Sequence, residues 1–160
     1  MKTLEPGSKA PSFQALAVGG AYGEGGKSVS SPDFAGRNLV LYFYPKDETP
    51  GCTMQACGLR DEWAEISAKC ALFGVSIDSA ASHAKFIAKH SLPFPLLVDE
   101  QRTLAEAFGV WVEKSMYGKK YMGTERTTFV IGPDGVLRAV LRKVKPGDHA
   151  EAVLAALRSK

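Results

Sequence analysis

The run Leu39-Val40-Leu41-Tyr42-Phe43-Tyr44 constrains the fold more than any other segment. A continuous apolar and aromatic stretch, with Gly36 behind it and Pro45 ahead, reads as a strand buried on both faces. Such a strand lies inside a sheet, so the rest of the chain must supply neighbouring strands and cover both sides.

The remaining segments provide them. The opening at residues 4–31 is rich in Gly, Ser and Pro, with Gly19-Gly20, Gly23 and Gly25-Gly26 between short apolar pieces, and predicts a hairpin and loops. After Thr49-Pro50, the residues Met54, Cys57, Leu59, Trp63 and Ile66 recur near helical spacing, and Pro50 suits a first turn where its missing N–H is not needed. One long helix is expected there. Residues 71–77 read as a strand, and 79–90 as a helix with Phe86 and Ile87 inward. A short strand follows at Leu96-Leu97-Val98, and a short helix at 101–108 is closed by Gly109. Strands at 127–131 and 136–141 flank Gly132-Pro133-Asp134-Gly135, a hairpin signal, and an amphipathic helix spans 148–157. Alternating strands and helices followed by a late hairpin predict an α/β fold: a central mixed sheet with helices on both faces and an N-terminal hairpin extension. A thioredoxin-like sandwich satisfies this order, which alone leaves other α/β arrangements open.

Length and charge narrow the class. A chain of 160 residues, 45% hydrophobic and 23% charged, fits one compact core, so residues 1–160 are expected to form a single domain. A net charge of +3 without a basic run or stripe argues against a nucleic-acid partner. Residues 1–6 offer no apolar leader and no stretch is long enough for a membrane span, so a cytoplasmic location is the expectation. Three cysteines do not make an extracellular disulfide framework.

Chemistry concentrates where the central strand runs into the helix. A cysteine is a nucleophile as its thiolate, which the N–H groups and dipole of a first helical turn stabilise. Cys52 falls there. A thiol with the ordinary pKa of about 8.5 is only about 3% ionised near neutral pH, and one lowered to about 6 is about 90% ionised. That gain corresponds to about 2 kcal/mol, within reach of a helix N-terminus plus one cation, for which Arg126 is the candidate. Thr49, three residues ahead, can cap the helix or hydrogen-bond to the sulfur and an incoming oxygen.

Cys57 follows five residues later. On a regular helix this spacing separates the Cα atoms by roughly 8 to 9 Å, beyond the limit of about 7 Å for a disulfide. If the two ever bond, the intervening turn must unwind, a change that Gly51 and Gly58 would ease. Cys57 can also be read as a small buried apolar residue, and Cys70 as core. Neither the cysteine spacing nor His83, His90 and His149 follows a zinc pattern.

The segments Phe43-Tyr44-Pro45-Lys46-Asp47, Thr49-Pro50-Gly51-Cys52-Thr53 and Ala56-Cys57 resemble the peroxiredoxin family, in particular its bacterioferritin-comigratory-protein or Q-type subgroup. So do Gly74-Val75-Ser76, Arg126-Thr127-Thr128-Phe129-Val130-Ile131 and Pro133-Asp134-Gly135, which carries the resemblance over most of the chain. It implies that Cys52 is the peroxidatic cysteine and Cys57 the resolving one. Thr49 and Arg126 would position the peroxide and stabilise the developing charge, and Pro45 would shield the sulfenic acid. The implied cycle reduces hydrogen peroxide or an organic hydroperoxide, forms a Cys52 to Cys57 disulfide and is reset by thioredoxin or a related dithiol donor, without metal, haem or flavin. The resemblance also implies a monomer. Gln55 stands where the family commonly has Glu, which removes a negative charge close to the reactive sulfur. A thioredoxin-like disulfide oxidoreductase is the nearest rival. Against it, four residues separate the thiols and no proline precedes Thr127.

Overall fold

The computed structural model describes residues 4–158. The glycine-rich opening forms an antiparallel hairpin of β1 (Gln14–Val18) and β2 (Lys27–Ser30). Then come β3 (Leu39–Phe43), α1 (Pro50–Asp61), α2 (Trp63–Ser67), β4 (Ala71–Ser76), α3 (Ala80–His90), β5 (Leu96–Val98) and α4 (Thr103–Ala107). The chain continues through β6 (Trp111–Met116), β7 (Lys119–Thr124), β8 (Thr127–Ile131), β9 (Leu137–Arg142) and α5 (His149–Arg158).

Seven strands form one sheet in the order β2-β1-β5-β4-β3-β8-β9, with β3, β4 and β5 parallel and the other pairs antiparallel. The fold class is the expected thioredoxin-like mixed sheet, and the hairpin β1–β2 extends it beyond β5. Strand β3 is buried along its whole length, with Leu39, Leu41 and Phe43 facing one core and Val40 and Tyr42 the other.

Strand order decides where the helices lie. The steps β3 to β4 and β4 to β5 move in the same direction across the sheet, so right-handed crossovers place α1, α2 and α3 on one face. Ala56, Leu59, Ile66 and Phe86 pack there, with Val153 and Leu154 of α5. The opposite face is covered by α4, through Leu104 and Ala105, and by Phe34. Gly74 makes room within the sheet: a Cβ at this residue would lie 2.7 Å from the Tyr42 ring and from Leu96.

One expectation fails and one element went unread, each for a local reason. The long helix divides at Glu62, and its inner face is not the predicted stripe: Met54 is 57% exposed whereas Gln55 is 2% exposed. Cys52, Ala56 and Leu59, spaced by four and three residues, define the buried side. The second miss is the hairpin β6–β7, which forms a separate two-stranded sheet. Most of its side chains are exposed, so it carries no apolar alternation, and its turn uses Tyr117 and Gly118, both at positive φ, in place of the familiar Asn-Gly or Asp-Gly.

Candidate active site

The site assembles at the carboxyl end of β3. The Tyr44 N–H donates to the Val75 carbonyl at 3.1 Å, prolonging the sheet one residue beyond β3 before the chain turns at Pro45 toward α1. Thr49 is the N-cap residue, Pro50 opens the helix and Cys52 occupies its first turn, 2% exposed. The Thr49 hydroxyl donates to the Lys46 carbonyl at 3.0 Å and makes no capping bond to the helix. Its proton is committed and its lone pairs remain available.

Sheet register delivers Arg126. Phe43 pairs with Thr127 in the antiparallel β3–β8 ladder, so Arg126, one residue earlier, arrives at the same sheet edge as Tyr44. Its guanidinium lies against Gly51, where a Cβ would come 2.8 Å from Nη2. A larger residue at this position would push the guanidinium away from the helix start. Arg126 Nη1 donates to Gln55 Oε1 at 2.9 Å. Gln55 therefore orients the guanidinium without neutralising it, as a carboxylate in its place would do.

Cys52 belongs to the buried cluster that holds Tyr42, Tyr44 and Ala56, with ionisable groups nearby. Burial is the main cause that raises the Tyr42 pKa well above its ordinary value, followed by the charges of Asp47 and Cys52. Thr128 Oγ1 lies 2.6 Å from Nε2 of His149, whose pKa burial and Arg126 lower to about 4. Lys114 of β6 is half-buried; burial and then Arg126 lower its pKa, while Glu125 and Cys52 act in the opposite direction. The sequence did not mark Lys114, because only the hairpin brings it to this edge.

The other thiols differ. Cys57 is half-buried one turn further along α1. Cys70, just past α2, is 4% exposed, its thiol is 3.5 Å from the Ile66 carbonyl and burial pushes its pKa up to about 12. Also unmarked by the sequence was the buried pair of Asp47 and His83. Asp47 Oδ1 accepts from the Tyr44 hydroxyl at 2.6 Å, and Oδ2 lies 2.9 Å from the Ser82 hydroxyl and 2.7 Å from His83 Nδ1. Pro45 is half-buried, next in sequence to Tyr44 at the sheet end.

Comparison with known proteins agrees with the geometry. The AhpC/TSA family profile matches residues 6–140. The chain belongs to this family. It is 48% identical over 159 residues to peroxiredoxin Bcp of Bacillus subtilis, covering 98% of this chain and 96% of that protein. A putative peroxiredoxin of Coxiella burnetii is 45% identical over 156 residues, covering 97% and 99%. Among solved structures, bacterioferritin comigratory protein of Xanthomonas campestris, studied for its alkyl peroxide reduction activity, superposes with a TM-score of 0.82 at 41% identity, covering 91% of this chain and 90% of that one. A cysteine-to-serine mutant of PrxQ from Xylella fastidiosa gives a TM-score of 0.88 at 34% identity, covering 99% and 98%. The AhpC/TSA assignment thus spans the segment that carries Pro45, Thr49, Cys52, Cys57 and Arg126.

Proposed function

We propose that this AhpC/TSA protein is a thiol peroxidase in which Cys52 attacks hydrogen peroxide or an alkyl hydroperoxide. The observation that carries the reading is the placement of Cys52 in the first turn of α1, with the Arg126 guanidinium against Gly51 of the same turn. Helix N–H groups and a fixed cation both favour the thiolate over the thiol.

The Cys52 thiolate displaces the oxygen–oxygen bond: one oxygen, with its hydrogen, becomes Cys52 sulfenic acid and the other leaves as hydroxide or alkoxide, which takes a proton from solvent. Thr49, its own proton given to Lys46, accepts from the peroxide O–H. Arg126 bears on the developing charge, a fixed donor that needs no reorganisation at the moment of attack. Pro45, at the turn out of the sheet, limits the approach of water to the sulfenic acid.

Cys57 then condenses with the sulfenic acid, releasing water and forming a disulfide. Both residues lie within one continuous helix, so this step requires α1 to unwind between them. Thioredoxin or a related dithiol reduces the disulfide by exchange and is itself oxidised. Cys57 is the resolving thiol in this reading because it shares α1 with Cys52, whereas Cys70 lies past α2, buried, with its pKa pushed up to about 12.

The test is peroxide consumption by the purified protein, coupled to a thioredoxin system. Turnover that saturates in reductant and forms a Cys52–Cys57 disulfide is the expected result. Absence of turnover, together with reduction of insulin disulfides, would overturn the peroxidase reading in favour of a disulfide oxidoreductase.

A further inference from the structure

The unwinding step raises a question that Cys52 and Arg126 do not answer: where the mobile stretch begins. The bonds around Asp47 point to a boundary. Asp47 lies in the turn between β3 and α1, five residues before Cys52, yet it is 3% exposed and its carboxylate is fully engaged. Besides the contacts to Tyr44, Ser82 and His83, the Asp47 N–H donates to Asp78 Oδ2 at 2.8 Å. One residue later, Glu48 pairs with Lys89 and His90 at 3.1 and 3.2 Å. The turn is therefore tied to α3 at four side chains. At the far side of the cysteine pair, Arg60 Nη1 donates to the His90 carbonyl at 2.8 Å. Between these two anchors lie Cys52 and Cys57.

Hydrogen-bond inventory fixes the proton count of the pair. His83 is 0% exposed, and its Nε2 lies 2.8 Å from the Leu97 carbonyl, which can only accept. Nε2 therefore carries a hydrogen. Its Nδ1 faces Asp47 Oδ2 at 2.7 Å, and two lone pairs cannot meet at that distance, so one proton lies between them. Whether drawn as carboxylate with imidazolium or as acid with imidazole, the pair is neutral as a unit. Removing one member strands the other away from water, where an unpaired polar or charged group is strongly unfavourable.

We infer that Asp47 and His83 are positioning residues for Cys52: a buried, proton-sharing pair that fixes the start of the unwinding segment, so that peroxide attack depends on it whereas disulfide closure proceeds downstream of it. The inference rests on the two-step cycle proposed above. It assigns the turn an active part in dividing the helix into a held end and a released end. Thr49, Pro50, Gly51 and Cys52 follow directly on the anchored residues, so loosening Asp47 displaces the sulfur and Thr49 relative to Arg126.

The test resolves the two steps by rapid mixing with peroxide. Asp47→Ala should slow sulfenic acid formation about 10- to 100-fold, the range expected for a displacement on the order of 1 Å at a reacting group. Disulfide closure should keep its rate or become faster. Asp47→Asn can donate from its amide to a neutral His83 at Nδ1 and should restore the peroxide step to within about threefold of the parent protein, a small residual on the scale of a lost hydrogen bond. Ser82→Ala, which removes a single donor to the same carboxylate, should move the rates in the direction of Asp47→Ala by a smaller factor, and it serves if Asp47→Ala does not fold. Equal slowing of both steps, no change in either, or an Asp47→Asn variant as slow as Asp47→Ala would overturn the inference. A parent protein that forms no sulfenic acid would instead overturn the peroxidase reading, which separates the two failures.

Discussion

Cys52 and Cys70 are buried almost equally, at 2% and 4% exposure, and sit at opposite ends of helical segments on the same face of the sheet. Cys52 lies in a first turn, at the positive end of the helix dipole, and Arg126 lies against the adjacent Gly51. Cys70 follows the last turn of α2, and its thiol points at the Ile66 carbonyl, the negative end of a helix. Burial pushes the Cys70 pKa up to about 12, with Arg37 acting the other way. What separates them is the position on the helix, a first turn against a last one, so exposure alone would have ranked the two thiols together.

The largest expected difference is in activity. Cys52→Ser should abolish peroxide consumption, whereas Cys70→Ala should keep it within about twofold while costing about 1 to 2 kcal/mol of stability for the lost packing. Equal loss in both variants would dissolve the contrast. Cys57→Ser comes next: it should consume one equivalent of peroxide, accumulate sulfenic acid and then stall in the thioredoxin-coupled assay. Undiminished multiple turnover would show that another thiol resolves Cys52, with Cys70 the first to examine by peptide mapping of the oxidised protein.

Arg126 and Gln55 test the electrostatic half of the comparison. Arg126→Ala should slow the peroxide step about 100-fold, typical of losing one preorganised donor. Gln55→Glu should place a carboxylate on the guanidinium and slow the step about tenfold at neutral pH. Part of that loss should return as pH rises, because alkaline solution restores thiolate. A Gln55→Glu rate equal to that of the parent across the pH profile would mean that the Arg126 charge does not reach the sulfur. Neither substitution should alter the titration of Cys70, which lies past the far end of α2.

The sequence carried the central buried strand, the N-terminal hairpin and the placement of Cys52 in a first turn, because each depends on local signals: an unbroken apolar run, paired glycines, Thr-Pro before a helix. Arg126 could be singled out as a candidate, but its approach to Gly51 follows from the β3–β8 register, a long-range fact. The same holds for Lys114, delivered by a mostly exposed hairpin, and for Asp47 and His83, which are 36 residues apart and meet only because α3 packs beside the turn. Thr49 shows the limit of local reading even at short range. Its position is that of an N-cap, yet its hydroxyl turns back to Lys46.

Acid titration extends the comparison from activity to stability. Beneath the Cys52 end, His149 is 1% exposed and its Nδ1 has no hydrogen-bond partner among the described residues, so a second proton would be buried without an acceptor. Its pKa is lowered from 6.5 to about 4, first by burial and then by Arg126. The unfolded chain takes up this proton as pH falls through 6.5 and the folded one only near 4. Unfolding is thus increasingly favoured across that window: the stabilisation is complete above 6.5, is lost progressively toward 4, and amounts to about 3 kcal/mol. Cys70, with a pKa pushed up to about 12, binds its proton in both states throughout this range and adds no slope. Denaturant unfolding of the parent protein and His149→Gln at a series of pH values should show the difference between them shrinking as pH drops from 6.5 to 4. A constant difference would mean that His149 is already protonated in the folded protein, and that Thr128 and the groups around Tyr42 accommodate a charge there.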